Sequence, residues 1–272
     1  MCTRRASAWT YTLVGLIALN PCQASASELR DLCPTRPGLG TPPCIVDAGH
    51  LLVEVGLGDW TVTSDPDTRT DTLLIGNLLV RYGLSNVDEL QLGWTPFGHV
   101  RQRDKATGSI ARTEGVGDIS LAFKHSLRNP GGHGLSVAVQ PFVTLPVGGS
   151  AIGSHDWSTG LLIPISFDVT DHLQLQATPE VAASVDGDGH GRHATFGGVA
   201  GVGYAISKET GVTVELSAFK DQDPGGHTTK LLAGVSATFQ PKDNLQFDVG
   251  AAFGLNRDSP DAELSAGVSG RF

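Results

Sequence analysis

The chain ends in Leu264-Ser265-Ala266-Gly267-Val268-Ser269-Gly270-Arg271-Phe272, in which small or apolar residues alternate with polar ones. Successive side chains of an extended strand point to opposite faces. One face therefore collects the small and apolar residues and the other the polar ones: Ala266, Val268, Gly270 and Phe272 against Glu263, Ser265, Gly267, Ser269 and Arg271. Faces of such different polarity favour a strand that separates lipid from water.

The last residue, Phe272, adds a second signal. An aromatic residue at the end of the last strand resembles the signal by which the barrel-assembly machinery of bacteria recognises outer-membrane barrels for insertion. The ending therefore predicts a barrel of this kind, provided that the alternation recurs along the chain.

The N-terminus predicts export. Arg4 and Arg5 precede the apolar run 13–19, and Ala24-Ser25-Ala26 has the small residues of a cleavage site. This order is that of a secretory signal peptide, and the apolar run is too short to span a bilayer. We therefore expect residues 1–26 to be removed. Lipoprotein processing at a cysteine within this stretch is an alternative, disfavoured by the proline that precedes the cysteine.

The composition of the exported chain excludes one class of partner and predicts a disulfide. Loss of the two N-terminal arginines takes the formal charge from −9 to −11, which argues against a nucleic-acid partner. Only Cys33 and Cys44 remain after cleavage, and two cysteines in an exported chain favour a disulfide. The bridge would close a proline-rich loop and contribute about 3 kcal/mol by chain entropy. We assign residues 27–48 to an N-terminal periplasmic segment that carries this bridge.

From residue 49 to the C-terminus, the chain divides into twelve alternating segments of about ten residues, the length that a tilted membrane strand needs. The apolar faces of these segments begin at Leu51, Leu74, Leu90, Ile119, Leu135, Leu161, Leu173, Phe196, Val212, Leu231, Leu245 and Ala266. Short turns alternate with longer polar connections at 98–116, 146–157, 185–192 and 221–227. This asymmetry is typical of outer-membrane barrels. We predict an all-β fold, a transmembrane antiparallel outer-membrane β-barrel of about 12 strands with periplasmic termini.

Two motifs resemble a known family. The stretch 79–85 followed by 88–93, and the stretch Gly115–Lys124, resemble elements of a bacterial outer-membrane transporter family named for the meta pathway of phenol degradation. The similarity extends over residues 49–272. It implies passage of small molecules, among them hydrophobic or aromatic compounds, across the outer membrane.

The polar faces of the predicted strands carry the candidate pore residues. Eight acids and four bases lie on these faces: Glu54, Glu89, Asp118, Asp168, Glu180, Glu215, Asp248 and Glu263, with Arg81, Lys124, Lys230 and Arg271. An acidic excess biases an open pore towards cations or neutral polar solutes. The alternative is that these charges pair across neighbouring strands and fill a narrow interior.

Three loop motifs have other interpretations. His155 and Ser158 offer a nucleophile and base for a lipid hydrolase, but they face opposite sides of an extended strand, and no G-x-S-x-G elbow is present. The loop 186–193 has Asp and His residues but lacks the calcium-loop pattern, which favours a solvated turn. Basic residues in the loop 98–116 can meet lipopolysaccharide phosphates: Arg101, Arg103, Lys105 and Arg112. We expect no metal, cofactor or catalytic residue.

The sequence therefore predicts a non-enzymatic outer-membrane channel. Its expected partners are outer-membrane lipids, lipopolysaccharide, the barrel-assembly machinery through Phe272, and an unidentified solute. The alternatives are a plugged structural or surface-interaction barrel and, third, an outer-membrane lipid hydrolase. The periplasmic segment up to residue 47 is stiffened by prolines and can fold into the lumen as a partial plug.

The barrel prediction can be checked by electrophoresis. A closed barrel completes its backbone hydrogen bonds internally and resists detergent. We expect the extracted protein to migrate differently on a gel before and after boiling. A chain recovered from the periplasm in soluble form would contradict the prediction.

Overall fold

The computed structural model describes residues 29–272, and all regular secondary structure in this range is β-strand. The predicted signal peptide, residues 1–26, lies outside the described residues. None of the described residues forms a helix long and apolar enough to cross a membrane.

Twelve strands, β1 to β12, follow one another along the chain, and four of them are interrupted by one to three residues. Their bounds are β1 Leu51–Ser64; β2 Thr68–Ile75 and Asn77–Gly83; β3 Asp88–Trp94 and Phe97–Asp104; β4 Ile110–Gly115 and Ile119–Arg128; β5 Leu135–Leu145; β6 Ser158–Leu162 and Ile165–Asp168; β7 Leu173–Val185; β8 Arg192–Ala205; β9 Thr210–Asp221; β10 Thr228–Lys242; β11 Leu245–Gly254; and β12 Ala262–Arg271.

The sheet closes on itself. Each strand pairs antiparallel with its neighbour in sequence, and β12 returns to β1 in a register that runs from Leu52 opposite Arg271 to Val62 opposite Ala262. Closure satisfies strand hydrogen bonds that an open edge would leave unpaired in lipid. The predicted twelve-strand antiparallel barrel is confirmed.

The side chains are distributed as in a membrane barrel, with the apolar ones outside. Val214 on β9 and Val249 on β11 are 58% and 57% exposed on the outer face, whereas Arg81 on β2 is completely buried in the interior. A soluble protein would bury the valines and expose the arginine. The alternation predicted from the sequence therefore corresponds to a lipid-facing exterior and a polar interior.

The two rims differ. Residues 84–87, 129–134, 169–172, 206–209 and 243–244 connect strands at one end, the short-turn rim, and residues 146–157, 186–191 and 222–227 are among the connections of the other, the long-loop rim. Aromatic side chains point outward near the short-turn rim and are exposed there: Tyr82, Phe167, Tyr204, Phe239 and Phe272. This belt matches the aromatic girdle of membrane barrels.

One predicted connection is wrong. The sequence predicts a loop over residues 98–116, but Phe97–Asp104 and Ile110–Gly115 pair as a hairpin that extends β3 and β4 at the long-loop rim. Charged residues alternate there instead of apolar ones, so the hydrophobic period that marks the other strands is missing. Arg101 lies within this hairpin, and its Nη1 is 3.2 Å from the Asp71 carboxylate.

Adjacent residues on β9 test the assignment of the two faces. Val214→Arg would place a charge against lipid and should destabilise the barrel by about 2–4 kcal/mol if the residue lies near the bilayer midplane. Thr213→Arg points into an interior cavity of about 460 Å³ and should cost much less. Unfolding in urea, measured in detergent or lipid, compares the two. Equal effects would contradict the assignment.

The inward face is not uniformly tolerant of larger side chains. Ser136 on β5 is also inward, but it is fully buried and its Oγ donates to the His133 carbonyl oxygen at 3.0 Å. An arginine at Ser136 has no space, so this position is not a suitable control.

Candidate functional site

The N-terminal segment, residues 29–47, lies inside the barrel, and we refer to it as the plug. Side chains from well-separated strands bind its backbone. Glu54 on β1 accepts hydrogen bonds from the Thr35 and Arg36 N–H groups, and Thr178 on β7 accepts one from the Thr41 N–H. Because β1 and β7 lie six strands apart in a ring of twelve, the plug crosses the lumen.

A disulfide closes the central part of the plug. Cys33 and Cys44 are bonded, with their Cα atoms 6.4 Å apart, as predicted from the sequence. The closed loop spans residues 34–43 and reaches the far wall through Leu39 and Gly40. Restricting this loop favours its compact form over extended alternatives.

Two buried carboxylates hold the two sides of the loop. Glu54 accepts the Thr35 N–H at 2.9 Å and the Arg36 N–H at 2.9 Å. Glu215 on β9 accepts the Leu39 N–H at 2.8 Å and the Gly40 N–H at 3.0 Å. Ionised acceptors make stronger hydrogen bonds than neutral ones, and each carboxylate here satisfies two successive backbone donors. These bonds fix the loop across the lumen.

Four fully buried charges lie between the plug and strands β1 to β4. Arg81 Nε is 2.9 Å from Glu89 and its Nη1 is 3.4 Å from Glu54, while Lys124 Nζ is 3.5 Å from Glu89. The cluster contains two acids and two bases, so its formal charges cancel. Buried charges are tolerated only when they are paired and their remaining hydrogen-bonding capacity is used.

The plug backbone uses that remaining capacity. Arg81 donates to the Cys33 and Cys44 carbonyl oxygens at 2.8 and 3.0 Å, and Lys124 donates to the Pro42 carbonyl oxygen at 3.0 Å. Glu89 in turn accepts the Val46 N–H at 2.8 Å. The charge cluster and the plug therefore satisfy one another.

The base of the plug is attached to the short-turn rim. The Ile45 N–H donates to the Pro130 carbonyl oxygen at 2.9 Å, and Arg30 Nη2 donates to the Asn86 carbonyl oxygen at 2.8 Å. Arg271 of β12 lies 3.4 Å from the Asp47 carboxylate. These contacts bind the segment at the point where it continues into β1.

Glycines on the inner face leave room for the plug. A Cβ atom at Gly234 on β10 would lie 2.9 Å from Leu39 Cδ1, and one at Gly267 on β12 would overlap the Arg36 side chain. Larger residues at these positions would displace the loop. The glycines of the polar face, unremarkable in the sequence, therefore shape the space for the plug.

Free volume remains in the interior. A cavity of about 440 Å³ is lined by Arg36 and Leu39 of the plug and by Asp59, Glu215 and Glu263 of the wall, among others. Glutamine and threonine side chains line the 460 Å³ cavity closer to the short-turn rim: Gln174, Gln176, Thr213 and Thr238. Both spaces are bordered by polar as well as apolar groups, and the polar ones offer hydrogen-bonding partners to water and hydrophilic solutes.

The structure divides the predicted pore residues into groups. Five of them contact the plug: Arg81, Glu89, Lys124, Glu215 and Asp248. The Asp248 contact is an ion pair, with a carboxylate oxygen 3.4 Å from Arg36 Nε. Asp118 instead accepts the Gly148 and Ser154 N–H groups at 2.8 Å each and holds the connection 146–157. Glu180 on β7 and Lys230 on β10 face inward, nearer the long-loop rim.

Sequence reasoning missed Asp59, whose Oδ1 is 2.8 Å from Arg36 Nη2. Strict alternation from Leu51 places Asp59 on the outer face. The register of β1 against β12 shifts between Gly56 and Gly58, and this bulge turns Asp59 inward. The two glycines are the only hint that the sequence offers.

The sequence model of the family described as "Putative MetA-pathway of phenol degradation" matches residues 35–272. The chain belongs to this family. The matched range begins within the plug and continues to the last residue, so it includes the loop between Thr35 and Asp47 together with the barrel. None of the curated proteins matches the chain significantly.

Solved structures agree on the fold. An outer membrane channel from Pseudomonas putida F1 aligns with a TM-score of 0.69 and 16% identity, over 88% of this chain and 100% of that chain. The NanC porin aligns at 0.52 and 11% identity, over 81% and 98%. The transport unit of the autotransporter AIDA-I from Escherichia coli aligns at 0.52 and 8% identity, over 82% and 89%.

Glu215→Ala tests how the plug is held. Each of the Leu39 and Gly40 amides loses one charge-assisted acceptor, and such a bond contributes about 1.5–3 kcal/mol. Hydrogen exchange at each amide should therefore accelerate by about 10- to 100-fold. Glu263→Ala is the matched control, since Glu263 borders the same cavity from β12. Equal exchange in the two variants would show that Glu215 does not hold the plug.

Proposed function

We propose that this protein is an outer-membrane channel for small hydrophilic molecules, whose plug occupies the lumen in the resting state. The main support for this proposal is the plug, which crosses the lumen and is held there by hydrogen bonds and ion pairs that can break and re-form. Displacement of the plug would leave a continuous passage along the lumen of the barrel. The family and the fold similarities to an outer membrane channel and a porin support the same function.

The orientation follows from the rims. In outer-membrane barrels the short turns face the periplasm and the longer loops face outward. The plug would then enter from the periplasmic side, and Phe272, which is 75% exposed, would be available to the assembly machinery. The basic hairpin that contains Arg101 and Arg112 would extend towards lipopolysaccharide phosphates.

The interior favours a small polar solute. The 440 Å³ cavity lies in the lower part of the range for small-molecule pockets, which suits a single small molecule rather than a polymer. Its wall carries Asp59, Glu215 and Glu263, which favours cationic or neutral solutes. The charged groups of this cavity support hydrophilic solutes more strongly than the hydrophobic or aromatic compounds that the family name suggests.

The second candidate is a barrel that stays plugged and acts through its loops. The disulfide and the four-charge cluster favour this function, because both stabilise the plug in place. The two candidates differ in one measurable property, namely whether an ion-conducting path exists once the plug is removed.

Deletion of residues 29–47, with the signal peptide kept, distinguishes the candidates. We expect conductance in planar bilayers to rise several-fold over the intact barrel, because the lumen would be open. The open pore should prefer cations, most strongly at low salt, where charge screening is weakest. Glu215→Gln in the deleted chain should reduce that preference, because the carboxylate no longer binds the plug and faces the pore.

The intact barrel with Cys33→Ser and Cys44→Ser is the companion variant. It keeps every residue that fills the lumen but releases the loop closure, so its conductance should lie between those of the intact and deleted chains. A deleted barrel that folds, as judged by its gel mobility, and still conducts no ions would favour the plugged structural barrel over transport.

A further inference from the structure

Two connections of the long-loop rim meet at a buried histidine. His193 lies near the start of β8, with the connection 186–191 before it in sequence. The connection 222–227 comes alongside, because the Gln222 N–H donates to the Ala194 carbonyl oxygen at 3.1 Å. Three carboxylates surround the imidazole: Asp186, Asp221 and Asp223.

The imidazole has both nitrogens directed at carboxylates. Its Nδ1 is 2.8 Å from Asp186 Oδ1 and 3.8 Å from Asp223 Oδ2, and one ligand atom from each of these three residues lies within 4.8 Å of the others. Its Nε2 is 2.7 Å from Asp221 Oδ1 but is not aligned for a hydrogen bond. The side chain is only 5% exposed, so water does not satisfy it freely.

The backbone holds the carboxylates in place. Asp223 accepts the Gly225 N–H at 2.6 Å and also the Gly187 N–H from the facing connection. These backbone hydrogen bonds, and to a smaller extent nearby histidines, lower the pKa of Asp223 below its usual value. Asp186 packs against Gly191, whose φ is 88° and where a Cβ atom would lie 2.5 Å from Asp186 Oδ2. The backbone therefore pre-positions the Asp223 carboxylate, and Gly191 leaves room for the Asp186 carboxylate.

We propose that Asp186, His193 and Asp223 bind one divalent transition-metal ion, of which Zn²⁺ is the representative, at the long-loop rim. Three carboxylates surround one imidazole, so a cation bound between Asp186 and Asp223 offsets their negative charge. One imidazole nitrogen with carboxylate oxygens suits zinc-like ions better than Ca²⁺, which takes oxygen ligands.

Asp221 has a supporting role in this site. A metal-bound histidine usually donates its second N–H to a carboxylate, which fixes the tautomer and the ring orientation. The Asp221 oxygen lies 2.7 Å from Nε2, so a small rotation of the ring on ion binding would let Nε2 donate to it. Nδ1 is then free to bind the ion with Asp186 and Asp223. The ion joins the connections 186–191 and 222–227 across the rim. This site does not depend on the proposed transport.

Cobalt(II) is the probe of choice, because its visible absorption reports coordination. The complete mature barrel, folded in detergent, free of a histidine tag and stripped with chelator, should take up one equivalent of Co²⁺, and Zn²⁺ should displace it. His193→Gln and Asp223→Asn should weaken binding by at least tenfold. Asp221→Asn should weaken it by about 10- to 100-fold, because Asp221 orients the histidine that binds the ion. His190→Gln is the control, because His190 lies in the connection 186–191 but is not among the proposed ligands, and binding should be unchanged.

Absence of saturable Co²⁺ uptake by the unmodified barrel overturns the proposal, as does binding that survives His193→Gln or is lost in His190→Gln. Gel mobility before boiling shows whether each variant has folded. If the His193 variant does not fold, X-ray absorption of the unmodified cobalt protein decides: one imidazole with oxygen ligands supports the site, and oxygen ligands alone overturn it.

Discussion

Closure of the backbone hydrogen-bond network is the constraint on which this structure depends. Lipid offers no partner to a strand, so every strand within the membrane must pair on both sides, and the pairing of β12 with β1 completes the ring. Once the ring is closed, alternate side chains face either lipid or a space of fixed width. The apolar exterior and the polar interior are both consequences of that geometry.

A ring of twelve strands is wider than the eight-stranded barrels whose interior is just filled by side chains, and here residues 29–47 occupy a large part of the lumen. The wall contributes ionised groups and the plug contributes backbone donors and acceptors, as in the bonds from Glu54 to the Thr35 and Arg36 N–H groups. Burial of Arg81 or Lys124 alone would be strongly unfavourable. Pairing with Glu89 and bonds to the plug carbonyls offset that cost.

The same carboxylates have two different roles, depending on the position of the plug. With the plug in place, Glu215 is an anchor for Leu39 and Gly40. Without it, Glu215 is a charge on the wall of an aqueous passage. The acidic excess therefore bears both on how tightly the plug is held and on which solutes an open barrel would favour, and the two properties are expected to change together when these residues change.

The sequence by itself determined the barrel, its strand number and the inward placement of Glu89, Glu215 and Lys124, because period-two alternation is a local property that twelve segments repeat. It also indicated the Cys33–Cys44 bridge, since only these cysteines remain in the exported chain. Local patterns could not show the hairpin Phe97–Asp104 with Ile110–Gly115, which lacks an apolar face, or the inward turn of Asp59 after the bulge in β1.

Only the tertiary structure decided which residues meet. The plug reaches Glu215, which lies about 175 positions further along the chain than Gly40. The cluster around His193 joins Asp186 of one connection to Asp221 at the end of β9 and Asp223 of the connection that follows it. Closing the sheet into a ring brings these distant segments together. No spacing within a single segment encodes such contacts, because they depend on the diameter and register of the whole barrel.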